Sequence, residues 1–184
     1  LFGLLKRFPG ADEVVALSAD ASVDRHCDYH VPLLSLPLIF GTTIDTIPVC
    51  SPYVAANPYK ETFWDTRLGV GGMRVGVAWA GSAWHVKDSK RSCGIAPFLA
   101  LAPIPGIRLI GLQKGDAAAE VLNLPADLGF SNFGGELNDF SDTAALIENL
   151  DLVISVDTSV VHLAGALGKP VWLLNRFDTC WRWL

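Results

Sequence analysis

The chain has 184 residues, of which 51% are hydrophobic and 18% charged, and its formal net charge is −5. That is a globular composition with a sizeable core, room for one ordinary domain or pieces of two; it excludes a disordered chain and argues against a generic nucleic-acid binder, which would be basic. There is no apolar run of about 18 residues to span a membrane, and no basic segment followed by an apolar run to act as a signal peptide. A cytoplasmic location is therefore expected.

The N-terminal third is irregular. "DEVVAL" (Asp12 to Leu17) follows the turn Pro9-Gly10 and predicts a short strand. "YHVPLLSLPLIFG" (Tyr29 to Gly41) is apolar but interrupted by Pro32 and Pro37, which predicts loop plus one short helix. "TIPVCSPYVAANP" carries three prolines and suits an extended connection between two lobes. A helix then opens with Asn57 as cap and Pro58 in the first position, and closes at Gly69.

From Arg74 the pattern becomes strand, loop, helix, repeated. Strands are expected at "RVGVAW", "GIRLIGLQ", "DLVISV" and "PVWLLN", with helices at "IAPFLALA", "DAAAEVLN", "SDTAALIENL" and "TSVVHLAGALG". Ser141 or Asp142 would cap the third of these helices, and Gly168 would stop the last before Pro170 starts a strand. Alternation of this kind, with nearly continuous apolar strands, predicts an α/β fold: a Rossmann-like, doubly wound parallel sheet covered on both faces. Residues 74 to 184 make most of one such unit. Residues 1 to 56 read as the tail of another lobe plus a crossing linker, joined by a linker helix in residues 57 to 73. The chain opens at Leu1 and ends at "WRWL", so pieces of a longer protein are expected to be missing.

In such sheets ligands sit beyond the carboxyl ends of the strands. Three loops should reach that edge: "AGSAWHVKDSKRS", "QKGD" and "DTS". The first amides of a helix lack intrahelical partners and its dipole is positive there, so a phosphate is accepted at "DTSVVHLAGALG". Thr158 and Ser159 add hydroxyls; His162, four residues after Thr158, would share its helix face. Asp157 would repel a phosphate directly, and more naturally accepts loop amides or a sugar hydroxyl. The plainer alternative is an ordinary Asp or Thr cap with His162 as an interface histidine. His85, Lys87, Lys90 and Arg91 crowd seven residues of the first loop and offer cations to a diphosphate, with Arg91 able to fork onto two oxygens. A solvated basic loop is the alternative there. Lys114 in "LQKGD" is either a further cation or a turn lysine.

Dinucleotide and P-loop fingerprints are absent, as are GxSxG and HExxH. Cys27, Cys50, Cys93 and Cys180 form no CxxC pair and match no zinc spacing, so reduced thiols and no metal are expected.

"RVGVAWAGSAWHVKDSKRS", "IRLIGLQKG", "DFSDTAALIENLDLVISVDTSVVHLAGALGKPVWLL" and "WRWL", in this order, resemble the C-terminal half of a GT-B glycosyltransferase. The resemblance is to the heptosyltransferase-like family 9 domain that often follows tetratricopeptide repeats, a group similar in turn to O-linked N-acetylglucosamine transferases. It covers residues 74 to 184, and extends more weakly through "LLSLPLIFGTTIDTIPVCSPYV". It implies transfer of a sugar from a nucleotide-diphosphate sugar to an acceptor hydroxyl of a protein or glycan, with inversion, and with neither metal nor cofactor. It places Ser82, His85, Asp88, Arg91, Asp157, Thr158, Ser159 and His162 in the donor and diphosphate site, and puts the general base in the opposite lobe. The chain departs from the family pattern at Ser82 and Ala83 (often Asn-Pro), Val86 (often Lys) and Cys180 (often acidic). Two alternatives stay open: a degenerate, non-catalytic domain that binds a ligand or partner, and a nucleotide-sugar epimerase. An isolated half should also expose the apolar face that meets its partner lobe, which makes a homo-oligomer an expected state.

Overall fold

A computed structural model describes residues 1–17, 27–86, 88–125, 127–179 and 181–183. Its centre is a five-stranded, wholly parallel sheet in the order β3-β2-β1-β4-β5. The strands are β1 (Met73–Ala78), β2 (Ile107–Gly111), β3 (Phe130–Asn132), β4 (Leu152–Val156) and β5 (Val171–Leu174). The helices are α1 (Phe2–Leu5), α2 (Leu36–Ile39), α3 (Pro58–Leu68), α4 (Ala96–Leu99), α5 (Phe140–Glu148) and α6 (Ser159–Ala166). This is the expected doubly wound arrangement, and the strand order reverses between β1 and β4.

The period-two geometry of a strand sorts its side chains into two cores. Val75, Val77, Trp79, Leu109, Leu152 and Ile154 face α4. Ala78, Ile110, Leu112 and Val153 face the layer of α3, α5 and α6. Gly76 lies on this second side, where a Cβ would come within 2.4 Å of Leu150 Cδ1 and 3.0 Å of Leu112 Cδ1.

Four expectations are corrected. Asp12–Leu17 forms no strand: among the described residues, none of the five strands pairs with it. The segment after Gly115 is a 3₁₀ turn pair over Asp116–Val121, closed by i→i+3 bonds such as Ala118 N–H to the Gly115 carbonyl, 3.0 Å. The helix expected over Ile95–Ala102 shrinks to α4, and Leu101 and Ala102 continue as i→i+3 turns before Pro103. The cap of α5 is Asp139, whose Oδ1 accepts Ser141 N–H at 2.8 Å and Asp142 N–H at 3.0 Å, while the Asp142 side chain answers in a reciprocal capping box. The three-residue edge strand β3 was not foreseen.

The caps of α3 are as expected, Asn57 Oδ1 accepting Tyr59 N–H at 3.0 Å and Gly69 following the last turn at φ 67°. Tyr29–Gly41 holds a 3₁₀ turn and α2, matching loop plus short helix. The connection 51–54 runs along the end of α6, with Tyr53 N–H and Val54 N–H both donating to the Ala166 carbonyl and Ser51 Oγ to that of Gly165. Leu34, Leu38 and Phe40 of the first segment, and Ile44 just after it, stay largely exposed.

Candidate functional site

The point where strand order reverses opens a crevice at the carboxyl edge. A cleft of about 440 Å³ lies there, walled by Ala80–Ser82 after β1, Leu112–Lys114 after β2, Asn138–Phe140 and Thr143 at the start of α5, and Thr158–Val160 at the start of α6. Ala78 and Leu112 contribute apolar floor, and Leu1 reaches the rim.

Two helix starts therefore share the cleft, but they differ. Asp139 plugs the first amides of α5 with its own carboxylate. Thr158, the residue before α6, has extended backbone (φ −146°, ψ 172°) and makes no side-chain cap bond. The open, positively polarised helix end is that of α6. Its first residues, Ser159 and Val160, line the cleft with Thr158 beside them.

Gln113, not singled out from the sequence, builds the opposite wall. It is buried, and every arm of its amide is used. Oε1 accepts Trp79 N–H (3.0 Å) and Ala80 N–H (2.9 Å); Nε2 donates to the carbonyls of Ala80 (3.1 Å) and Lys114 (2.9 Å). The side chain locks the loop after β1 to the loop after β2. The signal was there in "IRLIGLQ": an amide at the end of an apolar strand has both donors and acceptors for adjacent loop backbone.

Arg91 lies just behind the cleft. Its Nε pairs with Asp88 Oδ1 at 3.0 Å and its Nη1 donates to the Asp157 carbonyl at 3.1 Å, so it ties the β1 loop to the entry of α6. The guanidinium covers Gly81, where a Cβ would meet it at 2.3 Å. The arginine expected to fork onto a ligand thus spends two of its groups on protein. Lys114 is on the cleft wall with its ammonium donating to the Leu137 carbonyl.

Of the residues singled out from the sequence, Ser82, Lys114, Thr158 and Ser159 line the cleft, and Asp88, Arg91 and buried Asp157 support it. His162 does not join them. Because Thr158 is not helical, the four-residue spacing does not put the two on one face. His162 stacks on Trp183 (ring centroids 5.0 Å, 19°) in a separate hollow with Tyr53 and Val171, its Nε2 3.9 Å from Asp157 Oδ1. His85 sits on the exposed β1 loop, and Lys90 pairs with Asp178 at 3.7 Å. Lys87 and Cys180 lie outside the described residues.

Lys60 of α3 reaches Asp142 at 2.7 Å and Asp139 at 3.5 Å. Burial opposes the Asp142 charge, but Lys60 and the amides of Asn138 and Asp139 outweigh it and hold the carboxyl below the usual aspartate range. The same contact with Asp142 raises the Lys60 ammonium. Among the described residues, no group of three His, Cys, Asp or Glu is placed to hold a metal ion, and no helix is long and apolar enough to cross a membrane.

The five-stranded parallel sheet and its order match the Rossmann-like fold of the GT-B kind. Residues 106–174 match the family model described as Glycosyltransferase family 9 (heptosyltransferase). Protein FlbA of Caulobacter vibrioides is 28% identical over 142 residues, which cover 72% of this chain and 23% of that protein. Among solved structures, ADP-heptose lps heptosyltransferase II of E. coli aligns with a TM-score of 0.56 at 14% identity, covering 72% of this chain and 42% of that one. The glycosyl transferase family 9 protein of Veillonella parvula DSM 2008 aligns with a TM-score of 0.56 at 15% identity, covering 77% and 42%. At these identities the two structures establish the fold. The chain spans less than half of either, and less than a quarter of the Caulobacter protein.

Proposed function

We propose that residues 74–184 are the donor half of an inverting, metal-independent glycosyltransferase, and that residues 1–56 belong to the acceptor-side lobe and its linker, with 57–73 between them. The observation that carries this reading is the uncapped start of α6 at the reversal point of the sheet. A departing nucleoside diphosphate gains negative charge as the sugar leaves, and fixed amides aimed at that charge stabilise it without a metal. Ser82, Thr158 and Ser159 would contact the diphosphate; Asp88, Arg91 and Asp157 would hold the loops that present them. His85 and Lys90, on the loop after β1, and His162, on the side of α6 away from the cleft, would act only after a rearrangement of those elements; Lys87 belongs to the same proposed set. The acceptor hydroxyl, of a protein or a glycan, and its general base would come from the opposite lobe. Location in the cytoplasm, where nucleotide sugars are made, and self-association through the exposed apolar residues between Leu34 and Ile44 belong to the same reading.

The engagement of Arg91 and Lys114 with protein carbonyls favours a second reading, a domain that binds its ligand without transferring sugar. An epimerase needs paired acids in the cleft, and among the described residues lining it Asp139 is the sole carboxylate.

Calorimetric titration with UDP, GDP and ADP in the absence of metal tests the proposal, alongside Thr158→Asp. An aspartate is a favoured helix cap, so the variant should melt no lower than the parent while its carboxylate excludes a diphosphate. Binding of one nucleotide, lost in the variant, is the expected result. Equal binding by both proteins removes the α6 site, and no binding by the parent removes the transferase reading.

A further inference from the structure

Among the described residues lining the cleft, Asp139 is the one carboxylate. Asp139 Oδ1 accepts the amides of Ser141 and Asp142 and lies 3.5 Å from Lys60 Nζ. Oδ2 takes part in no hydrogen bond among the described residues, and the side chain is 41% exposed. Gly3 of α1 approaches it, and a Cβ there would sit 3.1 Å from Oδ2. Capping fixes the carboxylate's orientation, and Lys60 offsets part of its charge, so it can share a cleft with an anion bound at the other helix start.

We infer that Asp139 is a specificity residue of this cleft, its free oxygen accepting a ring hydroxyl of a ligand whose diphosphate lies at the start of α6. The inference rests on the nucleotide-sugar reading above and names the group that reading leaves unassigned. An ionised carboxylate is an acceptor only. It gains nothing from inorganic pyrophosphate, whose ionised oxygens also only accept, and it repels that ion. A hydroxyl of the nucleoside ribose or of the transferred sugar is a donor, and its bond to a charged acceptor is short and strong. Open amides at one end and an acceptor at the other therefore select a diphosphate that carries a hydroxylated ring.

The test compares the parent with Asp139→Asn and Asp139→Ser, both of which keep a favoured helix cap, after confirming that their melting temperatures match. Ligands are inorganic pyrophosphate, whichever of UDP, GDP and ADP binds the parent, its 2′,3′-dideoxy analogue, and the corresponding glucose conjugate. Both variants should weaken the nucleotide or its glucose conjugate by about tenfold or more, while leaving pyrophosphate unchanged or tighter. A parent that prefers the nucleotide to its dideoxy analogue, with that preference lost in the variants, assigns the hydroxyl to ribose. A variant effect confined to the glucose conjugate assigns it to the transferred sugar. Unchanged affinity for both the nucleotide and its glucose conjugate, or an equal loss for pyrophosphate and nucleotide, overturns the role of Asp139 and leaves the nucleotide site standing. A parent that binds no nucleotide overturns both.

Discussion

Replacing Gln113 by glutamate changes one atom and reverses one half of a buried clamp. The carboxylate can still accept from Trp79 N–H and Ala80 N–H, as Oε1 does at 3.0 and 2.9 Å. Its second oxygen, however, would face the carbonyls of Ala80 and Lys114, which now receive hydrogen bonds at 3.1 and 2.9 Å. Two donations are lost and like charges oppose one another. With about 1–3 kcal/mol for each buried group left unsatisfied, and some relief from water in the cleft, the cost at neutral pH is about 2–4 kcal/mol. At roughly 2–4 °C per kcal/mol for a chain of this size, the melting temperature should fall by about 5–15 °C. The loss is pH-dependent, and its sign follows from the protonated form. A neutral acid regains one donor, so folding raises this carboxyl above the ordinary glutamate value of about 4.3. The variant's deficit is therefore smallest below that value and grows as pH rises through the folded pKa. Thermal melts of parent and Gln113→Glu at acid and neutral pH measure it. Equal stability at neutral pH, or a deficit that does not change with pH, would refute the clamp.

Gly76→Ala should destabilise by about 1–3 kcal/mol through overpacking against Leu150 and Leu112, read as a lower urea midpoint with an unchanged slope. The Lys60–Asp142 contact predicts two edges of stability. The lowered aspartate contributes above its unfolded pKa near 3.9, and that contribution is lost as pH falls through the lower folded value. The raised lysine contributes below its unfolded pKa and loses that contribution as pH climbs through the higher folded one. Lys60→Met should flatten the acid edge in a series of denaturant midpoints; an unaltered edge would show that another carboxylate controls it.

What the sequence disclosed follows from how local each signal is. The parallel strands declared themselves as apolar runs, and α3 by Asn57, Pro58 and Gly69, because strand burial and helix capping are written within a few residues. Strand β3 has only Phe130, Ser131 and Asn132, too short to show alternation, and exists because β2 has a free edge. Asp12–Leu17 has strand-like residues and, among the described residues, no strand paired with it. Ser141 and Asp142 are also good capping residues, so composition alone does not single out Asp139; the three-residue spacing to Asp142 is the discriminating sign. Topology places the loops after β1, β2 and β4 at one edge, where they wall the cleft, but the partners of Arg91 and Lys114 depend on carbonyls 66 and 23 residues away, which no motif records.

Helix α6 is gripped at its far end as well as open at its near one. Its closing carbonyls, Gly165 and Ala166, receive Ser51, Tyr53 and Val54 from the chain segment that arrives from the N-terminal third. Eight residues at 1.5 Å each make a rod about 12 Å long. A shift of residues 51–54 pushes on that rod, and a rigid helix passes the displacement to the amides that face the cleft. The segment before Pro58 and the wall of the cleft are thus two ends of one lever.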